Sequence, residues 1–216
     1  MRDRLLVASP RLGDPNFERA VVLLLEHGED GALGVVLNRP TLSSVRDILE
    51  PWADEAERLP PGLMFAGGPV SLNAVIGLAR QDPDQATNPR GQRQDDSANV
   101  EERTRHNVRD SLHDDGETTD VPTGRWVLGQ VATVDLSVPP GDQPLPLGGV
   151  RLFAGYAGWT SGQLEDELGE GAWYIVDAAV DDVFGANPDQ LWHDVLRRQG
   201  GDLAVLAGYP PHPSVN

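Results

Sequence analysis

The residues of this chain best placed to do chemistry fall into three groups. Asn16, Glu18 and Arg19 precede one apolar run, and Asn38 and Arg39 follow another. An arginine offers a planar fork of N–H donors that matches a carboxylate or phosphate, and short amides fix its orientation. The same residue types also make turns and caps, with Arg19 pairing to Glu18 or to backbone carbonyls, so a ligand role and a purely architectural one both stand. Gly67-Gly68-Pro69 is the second group. Glycine permits positive φ and close backbone approach, which serves a tight turn as readily as a ligand. Tyr156, Trp159 and Gln163 form the third, at the junction of a strand and a helix whose first N–H groups lack partners. That junction could hold an anion or a peptide end, or it could be a packed aromatic corner with room made by Gly155 and Gly158.

Motifs of known catalytic centres are missing. There is no G-x-S-x-G, H-E-x-x-H, G-x-G-x-x-G or EF-hand loop. Of the histidines His27, His106, His113, His193 and His212, none has a second at metal-ligand spacing, so neither metal nor cofactor is expected. In Glu26-His27, successive strand residues point to opposite faces, which makes a hairpin end the simpler role. His193-Asp194 reads as a solvated helix face. An enzyme would have to use Glu18 or Glu26 as a general base near Arg19 or Arg39. The sequence leans away from catalysis and towards binding of a protein or small-molecule partner.

Composition narrows the classes further. The chain has 216 residues, 17 basic and 34 acidic, for a net charge of −17, and all the basic residues are arginine. Without lysine there is no Walker A loop, Schiff base or lysine base. Without cysteine there is no disulfide, thiolate metal site or cysteine nucleophile. So negative a surface repels polyanions, and direct nucleic-acid binding is not expected. No apolar run is long enough to span a membrane, and Met1 to Pro10 lacks a signal peptide's apolar core, so a soluble cytoplasmic protein is expected.

The elements that must position these groups begin with a hairpin. Val21 to Leu25 and Ala32 to Leu37 are apolar runs around His27-Gly28-Glu29-Asp30-Gly31. Strands apolar on both faces belong inside a sheet. Pairing the runs antiparallel would bring Arg19 beside Asn38, and the remaining clusters, being connections, are expected to gather with them at one end of the sheet. Arg4 to Ala8 predicts the first strand. Ser43 or Ser44 caps a helix of about two turns carrying Val45, Ile48, Leu49 and Trp52. Leu63 to Ala66 and Ala74 to Ala79 are strands joined by the glycine bend. Arg125 to Leu136, Gly149 to Tyr156 and Ala172 to Val176 are further strands. Helices are predicted over Thr160 to Leu168, with Gln163 at capping-box spacing from Thr160, and from Asn187 as N-cap with Pro188 at the first position to Arg198. Leu203 to Asn216 reads as a final strand and tail.

From Gln81 to Asp120 the character changes, with eleven acids, five arginines and few apolar residues. Such a stretch buries too little area to offset its ordering entropy. A single domain over residues 1–216 with a polar, disordered insertion at about 81–124 is expected.

The hairpin with its flanks, Gly67-Gly68-Pro69-Val70, GYAGWTSGQLE at Gly155 to Glu165, and the closing Pro213-Ser214-Val215-Asn216 resemble the YqgE/AlgH family in four motifs and in their order. The resemblance covers the chain apart from the insertion. It implies a bacterial cytoplasmic α+β domain with a curled mixed, largely antiparallel sheet (a pseudo-barrel), to which the helix patterns above add about three flanking helices. The family is largely uncharacterised and sometimes carries the label of transcriptional regulator.

Overall fold

The computed structural model describes residues 4–82 and 123–208. Ten strands form one curled sheet: β1 (Arg4–Ala8), β2 (Val21–Gly28), β3 (Gly31–Val36), β4 (Pro40–Ser44), β5 (Leu63–Ala66), β6 (Val70–Gln81), β7 (Trp126–Leu128), β8 (Val131–Val134), β9 (Leu147–Thr160) and β10 (Trp173–Asp177). The main order is β10-β1-β2-β3-β9-β6-β8-β7, with β4 paired to β5 and β5 parallel to β9 at Phe65–Phe153. Every other pairing is antiparallel. The fold is therefore α+β with a mixed, mostly antiparallel sheet curled into a half-barrel, as the resemblance implies.

The curl turns on β9. Its last residues, Ala157 to Thr160, pair with β3, while its earlier residues pair with β6 on one side and β5 on the other. At the change of partner Gly155 has φ +69, and a Cβ there would lie 2.6 Å from the Gly68 carbonyl oxygen. A Cβ on Gly67 would lie 2.2 Å from the Gly155 oxygen, and one on Gly68 2.2 Å from Tyr156 carbonyl carbon. The close approach that these glycines permit is thus to the chain's own backbone.

The β2–β3 hairpin closes through Glu29-Asp30, with Gly28 opposite Gly31, and lies inside the sheet. Its apolar character on both faces has two destinations. Val21, Leu23, Leu25, Val35 and Leu37 point into the main core with Phe65, Phe153, Trp192 and Val195, while Val22, Leu24 and Val36 pack on the opposite face against Trp159, Trp173 and Leu164. A third cluster, around Trp52, Val134 and Leu152, fills the outer face of the β6–β9 region.

Six α-helices lie among the described residues rather than about three: α1 (Val45–Ile48), α2 (Ala53–Glu57), α3 (Gln163–Gly169), α4 (Val180–Phe184), α5 (Leu191–Gln199) and α6 (Gly201–Leu206). Ser44 does cap α1, accepting from the Asp47 amide. The chain then leaves helical geometry at Leu49 (φ −141°), and Pro51, with no N–H to donate back to Asp47, sits in a separate 3-10 turn over Glu50–Trp52, so the expected two-turn helix breaks. The break turns Ile48 outward, 56% exposed, while Val45 and Trp52 stay buried. Arg125 to Leu136 is not one strand but the β7–β8 hairpin, turned at Gly129 with φ +48. Pro188 begins a 3-10 turn ahead of α5, and Asn187 makes no side-chain cap. Leu203 lies in helix α6, not in a strand, because Gly200 and Gly201, both at positive φ, end α5 and restart the helix. The expected insertion falls almost wholly outside the described residues, as does the Pro213 to Asn216 motif.

Arg151 staples this arrangement. It is 3% exposed, donates to the carbonyls of Val183 (2.6 Å), Pro60 (2.7 Å) and Gly185 (3.1 Å), and lies 4.5 Å above the Phe65 ring. Burial pulls its pKa down to about 10.

Candidate functional site

At the open end of the β2–β3 hairpin, the two polar flanks meet as the antiparallel pairing requires. Asp14 caps a 3-10 turn over Pro15–Phe17 through the Asn16 amide at 2.8 Å, and that turn swings the chain back into β2. Arg19 follows in the left-handed region at φ +52, an uncommon conformation for a residue with a Cβ. Asn38, 4% exposed, holds it there. Its Oδ1 accepts from the Val21 amide at 2.9 Å and its Nδ2 donates to the Arg19 carbonyl at 2.8 Å, extending the ladder one step beyond the strands.

A hollow of about 310 Å3 opens beside this clamp, lined by Glu18, Arg19, Asn38 and Arg39 from the hairpin and by Asp189, Trp192 and His193 from the α5 region. The Arg19 guanidinium stands 4.9 Å over the Trp192 ring and donates to His193 Nε2 at 3.2 Å. His193 Nδ1 donates to the Ala207 carbonyl at 2.7 Å, which turns Nε2 towards Arg19. Trp192 is buried and donates from Nε1 to the Ala8 carbonyl at 2.9 Å. Arg39 donates to the carbonyls of Glu18 and Asn38. Burial lowers the Arg39 pKa, and the carboxylates of Glu18 and Asp189 oppose that shift. The site therefore presents two arginines, two acids and an imidazole above an indole floor.

The other proposed residues lie elsewhere. Asn16 sits on the 3-10 turn beside the hollow without lining it. Gly67 and Gly68 pack against Gly155 and Tyr156. Tyr156 and Trp159 do not form an aromatic pair, since they project to opposite faces of β9 and join different cores. Trp159 stacks near Phe17 and meets Trp173 edge-on at 5.9 Å. Gln163 accepts from the Thr160 amide at 3.1 Å, as capping-box spacing suggests, although the residue flanking α3 is Gly162.

Trp159 instead borders a second hollow, of about 350 Å3, at the hairpin's turn end with Glu26, His27 and Asp30. β2 has eight residues, so the two ends lie roughly 25 Å apart at about 3.3 Å per residue. The three groups are thus divided between two ends rather than gathered at one. Glu26 stands opposite Leu33, which packs on the main core, and His27 opposite Ala32, which packs on the other face, so the two side chains diverge as expected, the bulge at Leu25 lying before them. Each has its own partner: Arg125 donates to Glu26 at 2.7 Å, and His27 Nε2 lies 2.6 Å from Glu165.

Several participants were not evident from sequence. His193, expected on a solvated face, is half-buried under Arg19, and Asp189 and Trp192 join it because α5 crosses the hairpin's open end. Glu167 accepts from both Trp159 Nε1 (2.9 Å) and Trp173 Nε1 (2.7 Å), tying α3 to the sheet. No local pattern announces contacts between residues so far apart in the chain.

Comparison with known proteins agrees with this architecture. The family model described as AlgH-like (DUF179) matches residues 5–204. A UPF0301 protein of Streptomyces coelicolor is 50% identical over 214 residues, 99% of this chain and 94% of that protein. One from Mycobacterium bovis is 35% identical over 206 residues, covering 95% and 86%. The crystal structure of protein DIP2367 from Corynebacterium diphtheriae superposes with TM-score 0.71 at 27% identity, over 96% of this chain and 92% of that one. The solution structure of the AlgH protein from Pseudomonas aeruginosa superposes with TM-score 0.56 at 24% identity, covering 97% and 94%, and speaks to the fold alone.

Proposed function

This chain belongs to the AlgH-like family, and we propose that it is a binding or regulatory protein that takes a small ligand or partner group in the hollow between Arg19 and Arg39. The observation that carries this reading is the Asn38 clamp. It holds a strained, positively charged residue at the mouth of a hollow, and strain of this kind gathers at ligand sites. Arg39, held from Glu18 and Asn38, supplies a second guanidinium from the other strand.

The enzyme reading has less behind it. Glu18 meets Arg39 through its backbone carbonyl, and its exposed carboxylate lies at the rim in contact with solvent. Glu26, the other candidate base, is paired with Arg125 at the far end of the hairpin. An influence on transcription would run through a ligand or protein, since a net charge of −17 opposes direct contact with DNA. Among the described residues no helix is long and apolar enough to cross a membrane, which fits the cytoplasmic setting we propose.

Thermal-shift titration of wild type and Arg39→Ala with small carboxylates, phosphates and amino acids tests the reading. A ligand at a hundred times its Kd stabilises by about 2.7 kcal/mol. The wild-type melting temperature should rise and the variant's should not, with both unliganded proteins melting close together. Equal responses from the two proteins would place binding elsewhere.

A further inference from the structure

The lining of the Arg19–Arg39 hollow carries both signs of charge: two guanidinium groups and two carboxylates, with the His193 ring beside Arg19. Neither the Glu18 nor the Asp189 carboxylate makes an ion pair or hydrogen bond among the described residues, though both lie close enough to act on Arg39. Arg39 gives one N–H each to the Asn38 and Glu18 carbonyls, out of the five a guanidinium carries. The site thus offers donors and acceptors of full charge side by side, which complements a ligand with both signs of charge. A simple anion would meet the two carboxylates as well as the guanidinium groups, in the field of a protein of net charge −17.

Size points the same way. A volume of about 310 Å3 equals that of roughly ten water molecules at about 30 Å3 each, and it lies at the lower edge of small-molecule pockets. A ligand, or ligand group, of about ten heavy atoms fits it.

Resting on the binding function proposed above, we infer that the ligand is a small zwitterion of the α-amino-acid type. Its carboxylate is held by Arg39 with Arg19 at the rim, and its ammonium group faces Glu18 and Asp189. Asn38, spent on the backbone, positions Arg19 and does not touch the ligand.

The test is calorimetric titration of the full chain with three probes: the pooled proteinogenic L-amino acids, the same pool N-acetylated, and inorganic phosphate. The amino-acid pool should bind, N-acetylation should weaken binding at least tenfold, and Arg39→Ala should abolish it. Asp189→Asn should weaken the amino-acid pool several-fold without weakening the acetylated one. Equal or tighter binding of the acetylated pool or phosphate, lost in Arg39→Ala, would overturn the zwitterion assignment and leave the hollow a binding site. Absence of Arg39-dependent binding by all three probes would overturn both.

Discussion

The Asn38 side chain donates to the Arg19 carbonyl at 2.8 Å while accepting from the Val21 amide at 2.9 Å, so one buried amide fixes both sides of the hairpin's open end. The backbone groups it serves have few alternatives, and an unpaired buried donor or acceptor costs about 1–3 kcal/mol. Asn38→Ala should therefore lower stability by about 2–4 kcal/mol in urea denaturation. A loss below about 1 kcal/mol would mean that water replaces the clamp.

Arg19 separates backbone from side chain. At φ +52 glycine is the residue least strained, so Arg19→Gly should change stability by no more than about 1 kcal/mol, the relief of strain offsetting the lost contact with Trp192. Arg19→Val forces a β-branched residue into the same conformation and should cost about 1–2 kcal/mol more. Equal melting temperatures for the two variants would contradict a left-handed Arg19.

Arg151 should be the most sensitive charged position. Arg151→Leu removes the donor from three carbonyls on two separate segments, and the loss should reach about 3 kcal/mol or more by denaturant unfolding. A variant as stable as wild type would show that Leu fills the space and the carbonyls find water.

At the other end of the hairpin, the hydrogen bond from His27 holds the Glu165 carboxyl below its usual pKa. A carboxyl with a folded pKa below its unfolded value of about 4.3 stabilises fully above that value and progressively less as pH falls through the folded one. Glu165→Gln should therefore flatten the acid limb of the melting temperature below about pH 4.3. Superimposable acid limbs for wild type and variant would show that the pair contributes nothing.

How much of this could be read from the chain follows the range of the interactions involved. The β2–β3 hairpin was legible because the alternating residues of a doubly buried strand leave a continuous apolar run, and Arg19 and Asn38 became neighbours by pairing alone. The resemblance carried the curled α+β fold. The α1 break was hidden because Leu49, where the chain leaves helical geometry, is itself a good helix former, and the β7–β8 turn because a single Gly129 marks it. In the site, the hairpin's own residues were legible. His193, Asp189 and Trp192 were not, since only the packing of α5 across the hairpin brings them within reach.

The most direct measurement of the central proposal is amide chemical-shift mapping of the full 15N-labelled chain during titration with the amino-acid pool, its N-acetylated counterpart and phosphate. The account predicts saturable shifts from at least one probe concentrated at Glu18 to Ala20, Asn38 to Arg39 and Asp189 to His193, and their loss in Arg39→Ala. Saturable shifts confined to Gly28 to Ala32 and Trp159 at the opposite end, or none at the Arg19–Arg39 hollow, would contradict it.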